Sequence, residues 1–468
     1  MRITQDKNLL DESAFRAHLE SLGIELDLDA QVEPTGARAT PVSFTDASAG
    51  AFTSPNRFAI LPMEGWDGTT RGAPTDLVQR RWQRFADSGA GLVWAEATAV
   101  THEGRANPNQ LVLDQATVGE MAAMRSLFGP EQVVGLQLTH SGRYARPEGQ
   151  PAPRTAYAHP VLDEPSGAGP GTVLSDDELD ELVGRFIDAA VLAGEAGFDF
   201  VDVKACHGYL GHELLTAYDR PGRYGGDLVG RANFFTSIVR GIRAAAPQLA
   251  VALRLSVFDV VPHVPGEGGM GVPADAGPYR HAFGGDGSGL GIDLTETHAL
   301  LALATELGVG LVCTTAGSPY YCPHVQRPAY FPPSDGYRPP EDPLVGVARQ
   351  LSATAALTHA HPTITFIGSG YSYLQEWLAH VGQAAVASGD VDMVGIGRMA
   401  LSYPHLPAHV LAGRPLDRRL VCRTFSDCTT APRAGLVSGC FPLDPFYKQH
   451  PQRVALTQAK REASQRLR

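Results

Sequence analysis

One stretch of this chain reads Phe200-Val-Asp-Val-Lys-Ala-Cys-His-Gly-Tyr-Leu-Gly-His-Glu-Leu-Leu215. It begins as an apolar, β-branched run that is typical of a buried strand, and it continues into Lys204, His207 and Tyr209. Proton donors at the end of a buried strand lie at the mouth of a sheet or barrel, where α/β enzymes hold their chemistry. The alternative is a strand-to-loop junction whose polar groups only satisfy the backbone. Because three titratable groups rarely converge without use, the pattern favours a catalytic site.

The composition excludes several classes of protein. The chain has 468 residues, of which 43% are apolar, so it can bury a sizeable core, and its net charge of −12 argues against a nucleic-acid or anionic-membrane surface. The segment Met1–Lys7 lacks the apolar core of a signal peptide, and no apolar run reaches the roughly 18 residues of a membrane span. The six cysteines form no CxxC pair, which is typical of reduced thiols. We therefore predict a cytoplasmic protein that binds neither nucleic acid nor membrane, and the sequence leaves a homo-oligomer open.

Eight short apolar runs alternate with helical patterns along the chain. The predicted strands are Phe58–Leu61, Gly91–Ala97, Val133–Leu138, Phe200–Val203, Val251–Leu255, Gly310–Cys313, Ile364–Ile367 and Met393–Ile396. The predicted helices between and beyond them are Asp176–Ala196, Gly230–Ala246, Leu294–Leu307, Asp342–His359 and Tyr371–Ala387. Eight β-then-α units in roughly 350 residues fit a (β/α)8 TIM barrel better than an open doubly wound sheet.

The pattern predicts three regions. Residues 1–50 form an N-terminal extension, residues 51–415 the (β/α)8 barrel, and residues 416–468 a cysteine-containing C-terminal segment packed on the barrel. The extension has one helical pattern, Asp11–Leu22, which we expect to pack against the base of the barrel or against another subunit.

Two long loops follow predicted strands. Val260–Gly291 is rich in glycine and proline, and Thr314–Glu341 carries the aromatic pair Tyr320 and Tyr321. Both would overhang the C-terminal face of a barrel, and loops of this length are usually functional or disordered. We expect the second loop to be an ordered lid whose tyrosines contact the substrate.

The ordered set of motifs resembles the old yellow enzyme family, the FMN-dependent ene-reductases and their relatives, including the bacterial dienoyl-CoA reductases. The matching segments are Asn56–Met63, Gly89–Val100, Gln137–Arg143, His207–Leu210, Arg223–Gly226 with Arg231, Arg254, and Gly395–Arg398. They follow the family's order and cover roughly residues 55 to 415. The resemblance implies the same eight-stranded barrel, FMN as cofactor, NADH or NADPH as electron donor, and an electron-poor alkene of the enone or enoate type as substrate.

An FMN phosphate needs backbone N–H groups and a forked guanidinium. Gly368-Ser-Gly370 follows a predicted strand and precedes a helix, and Gly397 and Arg398 follow the next strand. These residues match the phosphate corner of such barrels. A dinucleotide-binding fingerprint is the alternative, but Tyr373 stands where its third glycine would be.

The resemblance also assigns residues to the flavin ring. Gln137 matches the amide partner of the pyrimidine edge, and Arg254 matches the positive charge near N1. The family passes backbone along the ring at positions that match Pro62, Met63 and Ala97. Glu64 is a departure, because the family usually has Thr or Cys there, so this carboxyl should either point away from the ring or stay protonated.

At the substrate end, Tyr209 matches the family's proton-donating tyrosine and His207 matches one of its oxyanion-binding residues. Lys204 departs from the usual His, and an ammonium there would bind an oxyanion strongly or select a carboxylate-bearing substrate. Trp66 aligns with an aromatic residue that lines the family's substrate pocket.

Cys422, Cys428 and Cys440 resemble an incomplete form of the four-cysteine iron–sulfur site of the dienoyl-CoA reductases. Thr424 lies near the place of a missing cysteine, and three thiolates do not complete a normal four-cysteine site. We expect loss of the cluster and no catalytic metal; a zinc ion and a three-cysteine cluster are the alternatives.

Three functions fit these residues. The leading one passes hydride from NAD(P)H through FMN to an activated C=C bond, with Tyr209 as proton donor. A rival within the family runs in the oxidative direction, by amine oxidation or desaturation. A rival from another class is a flavin-free lyase in which Lys204 forms a Schiff base and Arg398 binds a substrate phosphate.

Overall fold

Eight parallel strands form a closed barrel in the computed structural model, which describes residues 8–275 and 277–466. The strands of the chain are β1 Val42–Asp46, β2 Gly50–Ser54, β3 Phe58–Ile60, β4 Leu92–Ala99, β5 Val133–Thr139, β6 Phe200–Ala205, β7 Ala250–Ser256, β8 His263–Pro265, β9 Gly271–Pro273, β10 Leu311–Thr315, β11 Thr365–Gly368 and β12 Met393–Ile396. The barrel closes in the order β10-β11-β12-β3-β4-β5-β6-β7. The predicted TIM barrel is confirmed.

Each of the eight predicted strands coincides with a barrel strand. Their residues are buried along their whole length, because helices cover the outside of the barrel while side chains fill its inside. β6 extends two residues beyond its predicted end at Val203 and includes Lys204. The side chain of Lys204 is therefore fixed by the barrel rather than by a loop.

Helices cover the barrel. They are α1 Glu12–Ser21, α2 Asp76–Ala86, α3 Val118–Arg125, α4 Asp163–Ser166, α5 Asp176–Glu195, α6 Leu210–Leu214, α7 Leu228–Arg231, α8 Asn233–Ala245, α9 Thr295–Glu306, α10 Pro323–Gln326, α11 Pro343–Ala360, α12 Leu378–Ala387, α13 Met399–Ser402, α14 Leu406–Leu411, α15 Asp427–Arg433, α16 Pro445–Lys448 and α17 Arg453–Arg466. The helix predicted over Gly230–Ala246 is divided between α7 and α8. The one predicted over Tyr371–Ala387 begins as a 3-10 turn, Tyr371–Trp377, before α12. No helix in the described part of the chain is both long and apolar enough to cross a membrane.

A β-hairpin plugs the amino-terminal end of the barrel. β1 and β2 pair antiparallel, and the ring of Phe44 lies 6.3 Å edge-to-face from that of Phe200, the first residue of β6. The Arg243 guanidinium holds the Asp46 carboxylate at 2.7 Å, which ties the hairpin to α8. The hairpin thus shields the floor of the barrel from water. It straddles the predicted boundary at residue 50, and the division into three regions stays a prediction.

The N-terminal helix α1 packs on the outer layer of the barrel. Phe15 stacks on Trp377 with ring centroids 4.9 Å apart, and the Trp377 indole N–H donates to the carbonyl of Leu9 at 2.7 Å. His18 lies 3.2 Å from Asp342, the residue that caps α11. These contacts place α1 against the side of the barrel, beside α11 and α12.

Candidate active site

A large cavity opens at the carboxyl ends of the barrel strands. It holds about 1170 Å³ of space free of protein atoms, part of which is open to solvent. We call it the mouth cavity. The predicted site residues that line it are Pro62, Met63, Glu64, Trp66, Lys204, His207, Tyr209, Arg254, Tyr320, Gly370, Gly397 and Arg398.

Lys204 and Tyr209 lie against each other at the end of β6. The Lys204 Nζ atom is 3.9 Å from the centroid of the Tyr209 ring, where the face of the phenol attracts a cation. The Tyr209 hydroxyl is 3.0 Å from the hydroxyl of Tyr320, which comes from the loop after β10. Burial raises the pKa of Tyr209 well above its usual value, and the neighbouring Tyr320 raises it further. Tyr209 is therefore a neutral phenol that can give up a proton.

His207 is held as a neutral imidazole. Its φ of +65° is uncommon for a residue other than glycine, and its backbone N–H donates to Ser256 Oγ at 3.1 Å. The Nε2 atom lies 3.2 Å from Thr315 Oγ1 and 3.1 Å from the side-chain nitrogen of Gln326. Burial lowers the pKa of His207 far below its ordinary value, and Arg254 and Lys204 add to this. A neutral imidazole can donate a hydrogen bond from its ring N–H to an oxygen atom in the cavity, and it keeps that proton.

Glu64 faces the mouth cavity and does not point away from it. The loop that carries it is fixed by Glu96, which accepts the backbone N–H of Gly65 at 3.1 Å and the Arg81 guanidinium at 2.8 Å. Burial raises the pKa of Glu64 to about 7, although the attraction of Lys204 opposes the shift. This carboxyl thus holds its proton more tightly than an exposed glutamate does, and its role beside the ring stays a prediction.

A buried carboxylate lies beneath the cavity, inside the barrel. Asp202 accepts the side-chain amide of Gln137, the indole N–H of Trp94 at 3.2 Å and the backbone N–H of Arg254 at 2.7 Å. Burial raises the pKa of Asp202 to about 6. Asp202 therefore orients both Gln137 and the start of the Arg254 side chain, although nothing in the sequence singled it out.

The predicted phosphate corner lies between β11 and β12. Gly370 has a φ of +97°, a conformation that favours glycine, and it leads into the turn Tyr371–Trp377. Arg398 Nη2 donates to the carbonyl of Pro328 at 2.7 Å, while the buried Arg398 Nη1 finds no hydrogen-bond partner among residues 8–275 and 277–466. This free guanidinium edge beside a glycine turn is a binding point for an anion.

Four predicted residues do not line the cavity. The side-chain amide of Gln137 donates a hydrogen bond to Asp202. Ala97 is buried in β4, where its carbonyl accepts the side-chain amide of Gln110 at 3.3 Å. Gly368 ends β11 one turn below the cavity wall. Tyr321 turns away and donates its hydroxyl to Asp259. The roles predicted for these residues stay untested.

The lining also includes residues that the sequence did not assign. Gln326, Arg327 and Pro328 come from the loop after β10, while Thr429 and Arg433 come from α15 in the C-terminal segment. Arg433 donates to the carbonyl of Pro319 at 3.0 Å and lies 5.4 Å from the Tyr320 ring, so α15 supports the lid. The position of Arg327 within a long loop that follows a barrel strand could have marked it from the sequence, whereas no motif marked α15.

The three C-terminal cysteines have different surroundings. Cys428 lines the mouth cavity, Cys440 lines a small cleft beside α2, and Cys422 is buried with its backbone N–H 3.2 Å from the sulfur of Met399. All are free thiols, and no group of three or more His, Cys, Asp or Glu side chains in the described parts of the chain is arranged to hold a metal ion. The expected loss of the iron–sulfur cluster stays a prediction.

The chain has recognisable relatives. The model of the NADH:flavin oxidoreductase / NADH oxidase family matches residues 44–270. The NADPH dehydrogenase of Listeria welshimeri is 32% identical over 205 residues, which are 43% of this chain and 59% of that protein. Over these residues the chain is similar to proteins of the NADH:flavin oxidoreductase family. The resemblance expected from the motifs is confirmed, and the match spans about 60% of the length of the curated relatives.

Solved structures show the same fold. Morphinone reductase superposes with a TM-score of 0.55 at 21% identity and covers 82% of this chain and 91% of its own. A 2-naphthoyl-CoA reductase gives a TM-score of 0.66 at 18% identity, covering 89% of this chain and 58% of its own. At these identities the two solved structures support the barrel fold alone.

The mouth cavity fits FMN, the cofactor that the relationship implies. Its free space of about 1170 Å³ includes open solvent, and its walls combine apolar side chains with a few charged groups, as ordinary ligand sites do. Two buried cationic atoms, Arg254 Nε and Arg398 Nη1, have no hydrogen-bond partner among the described residues. They lie where an acceptor-rich ring and a phosphate would need them. The donors and the glycine turn therefore match the cofactor's polar groups.

Proposed function

We propose that this chain is an FMN-dependent NAD(P)H oxidoreductase that reduces an electron-poor C=C bond, with Tyr209 as the proton donor. The observation that carries the proposal is the neutral phenol of Tyr209, which lines the same cavity as Arg254 and Arg398, each of which has one buried nitrogen without a hydrogen-bond partner among the described residues. A phenol kept neutral at pH 7 is suited to protonate a carbanion, and general acids of this kind contribute about 10²–10⁴ in rate.

Several residues would hold the cofactor. Arg398, Gly370 and Gly397 would bind the phosphate, and Arg254 would face the ring. Pro62 and Met63 would lie along the ring edge, as part of the loop fixed by Glu96 and Arg81. When bound, FMN would supply the means to accept hydride from a nicotinamide and to deliver it to an alkene.

Lys204, His207 and Tyr209 would act on the substrate. Reduction of an enone or enoate builds negative charge on the carbonyl oxygen, and a donor already aimed at that oxygen is typically worth about 10²–10³ in rate. His207, uncharged, and Lys204 would bind the oxygen, while Tyr209 gives its proton to the α carbon. Tyr320, hydrogen-bonded to Tyr209, would hold the phenol in position.

The test is anaerobic. The purified protein should be yellow, NADH or NADPH should bleach the flavin band, and a panel of enones, enoates and nitroalkenes should restore it. Primary amines added to the oxidised protein without NAD(P)H test the oxidative direction, because the amine would then donate its electrons to the flavin and bleach the band. A colourless protein that takes up no FMN, or a flavin that neither nicotinamide bleaches, would contradict the proposal.

The Schiff-base lyase is the second candidate, because burial lowers the pKa of Lys204 and so favours its reactive neutral amine. Borohydride should then trap a carbonyl substrate on Lys204 in flavin-free protein. If trapping fails while the flavin turns over with alkenes, the lyase is excluded.

A further inference from the structure

Arg327 is a buried cation without an acidic partner. Its side chain is 8% exposed and lines the mouth cavity. It donates to two hydroxyl groups, Thr429 Oγ1 and Ser426 Oγ, the latter at 2.9 Å. No carboxylate pairs with it in residues 8–275 and 277–466. A buried charge without a counter-charge costs free energy, and a bound anion beside Arg327 would offset that cost.

A second guanidinium lies beside it. Arg398 Nη2 donates to the carbonyl of Pro328, the next residue along the chain from Arg327, at 2.7 Å. Burial, together with the charge of Arg398, lowers the pKa of Arg327 to about 9. Two like charges held together in one cavity repel each other, so the arrangement is destabilising unless an anion binds between them.

The other arginines of this region do not share the feature. Arg433 also lines the cavity, but it is paired with Asp335 at 2.6 Å, and Arg423 is paired with Glu376 at 2.6 Å. Arg349 on α11 pairs with Glu341 at 2.8 Å. Among the cavity-lining arginines of the described residues, Arg327, Arg398 and Arg254 form no ion pair with a carboxylate, and only Arg327 and Arg398 lie beside the glycine turn.

We propose that Arg327 is a second phosphate-binding guanidinium, which acts with Arg398 on the dianionic phosphate of FMN. The inference rests on the proposed function. Planar guanidinium forks bind phosphate oxygens in pairs, and two of them match the two negative charges of a phosphate monoester.

The arrangement also makes the C-terminal segment part of the cofactor site. Ser426 precedes α15 and Thr429 lies within it, and the hydroxyl groups of both accept hydrogen bonds from the Arg327 guanidinium. The phosphate would thus be bound by a residue that the C-terminal segment positions. Loss of that segment should weaken FMN binding through Arg327.

Comparison of FMN with riboflavin tests the inference, because the two differ only in the phosphate. Apoprotein is titrated with each flavin while the quenching of flavin fluorescence is measured. Arg327→Met should weaken FMN binding about tenfold to a hundredfold, and riboflavin binding should not change. Arg327→Lys, which keeps the charge but loses the fork, should give a smaller loss that is again confined to FMN.

Arg349→Met is the matched control, since it removes a half-buried arginine outside the cavity and should change neither titration. If Arg327→Met weakens FMN and riboflavin equally, or weakens neither, Arg327 only tethers α15 and the inference is overturned. If Arg327→Met does not fold, the lysine variant decides by the same comparison. If the unaltered protein binds neither flavin, the proposed function itself fails, and a wild type that binds FMN no more tightly than riboflavin overturns the phosphate site alone.

Discussion

The two ends of the barrel are formed by the same strands, but apolar side chains fill one end and charged side chains surround the other. β6 begins at Phe200, which packs at 4.9 Å edge-to-face on Trp94 and at 6.3 Å on Phe44 of the plugging hairpin. Four residues later, about 13 Å along the strand, the same strand presents Lys204 to the mouth cavity. The amino end is thus a closed apolar cluster, whereas the carboxyl end gathers charges around a space.

The difference shows where stability and activity reside. The apolar end gains free energy from the burial of a hydrophobic cluster. The carboxyl end buries Arg327, Arg398 and Glu64, whose charges cost free energy in the absence of a ligand. Substitutions at the two ends should therefore separate folding from catalysis.

The largest expected effect is at the carboxyl end. Tyr209→Phe should lower the rate of alkene reduction by about 10²–10⁴, because it removes the proton donor. Flavin reduction by NAD(P)H needs no proton from Tyr209 and should stay within about twofold. Stopped-flow measurement of the two half-reactions separates the steps; equal loss in both would show that Tyr209 binds the cofactor or shapes the cavity instead.

At the amino end, Phe44→Ala should reduce the free energy of unfolding by about 3–5 kcal/mol, because it leaves a cavity between β1 and Phe200. The rate constants per bound flavin should not change. Chemical denaturation and turnover assays on the same sample measure both. Phe446→Ala, which removes a phenylalanine that is 43% exposed, is the control and should cost far less. A Phe44→Ala protein with unchanged stability and reduced turnover would contradict the assignment of stability to the amino end and of activity to the carboxyl end.

Lys204→Met should lower kcat/KM for alkenes by about 10²-fold, because the oxyanion loses one aimed donor. The loss should be larger for enoates than for uncharged enones, since the ammonium also attracts a carboxylate. Lys448→Met, at an exposed position on α16, is the control with the same change of charge. Equal losses for both substrate classes would assign Lys204 to the oxyanion alone.

The smallest effect concerns pH and Glu64. With a folded pKa of about 7 against an ordinary 4.5, this carboxyl holds its proton in the folded protein over an interval where the unfolded chain has released it. Folding stability should therefore fall between about pH 4.5 and pH 7, relative to Glu64→Gln, by on the order of 3 kcal/mol, and then level off. Denaturation of the flavin-free proteins across this interval measures the difference.

The flavin reduction potential provides a second, independent measurement of the Glu64 titration. An ionised Glu64 beside the ring disfavours added negative charge, so the flavin reduction potential should fall more steeply through pH 7 in the unaltered protein than in Glu64→Gln. Parallel curves for the two proteins, in stability and in potential, would place the Glu64 proton elsewhere.

The sequence by itself determined the barrel and the centre of its site. Apolar runs located all eight strands, because a strand buried on both faces needs apolar residues throughout its length. Chemistry-bearing residues at strand ends, such as Lys204, Tyr209 and Arg398, could be placed in one cavity, since the carboxyl ends of parallel strands meet at one face.

Only the tertiary structure decided which distant segments complete that cavity. Arg327 is about a hundred residues from Thr429 and Arg433 of α15, and they meet because the loop after β10 packs against that helix. The same holds for the hairpin that plugs the floor and for Asp202, whose three hydrogen bonds come from three different strands. The physical reason is that periodicity reports how one segment buries its own side chains, whereas the partner of a charge or of an open barrel end depends on contacts between segments that no local pattern encodes.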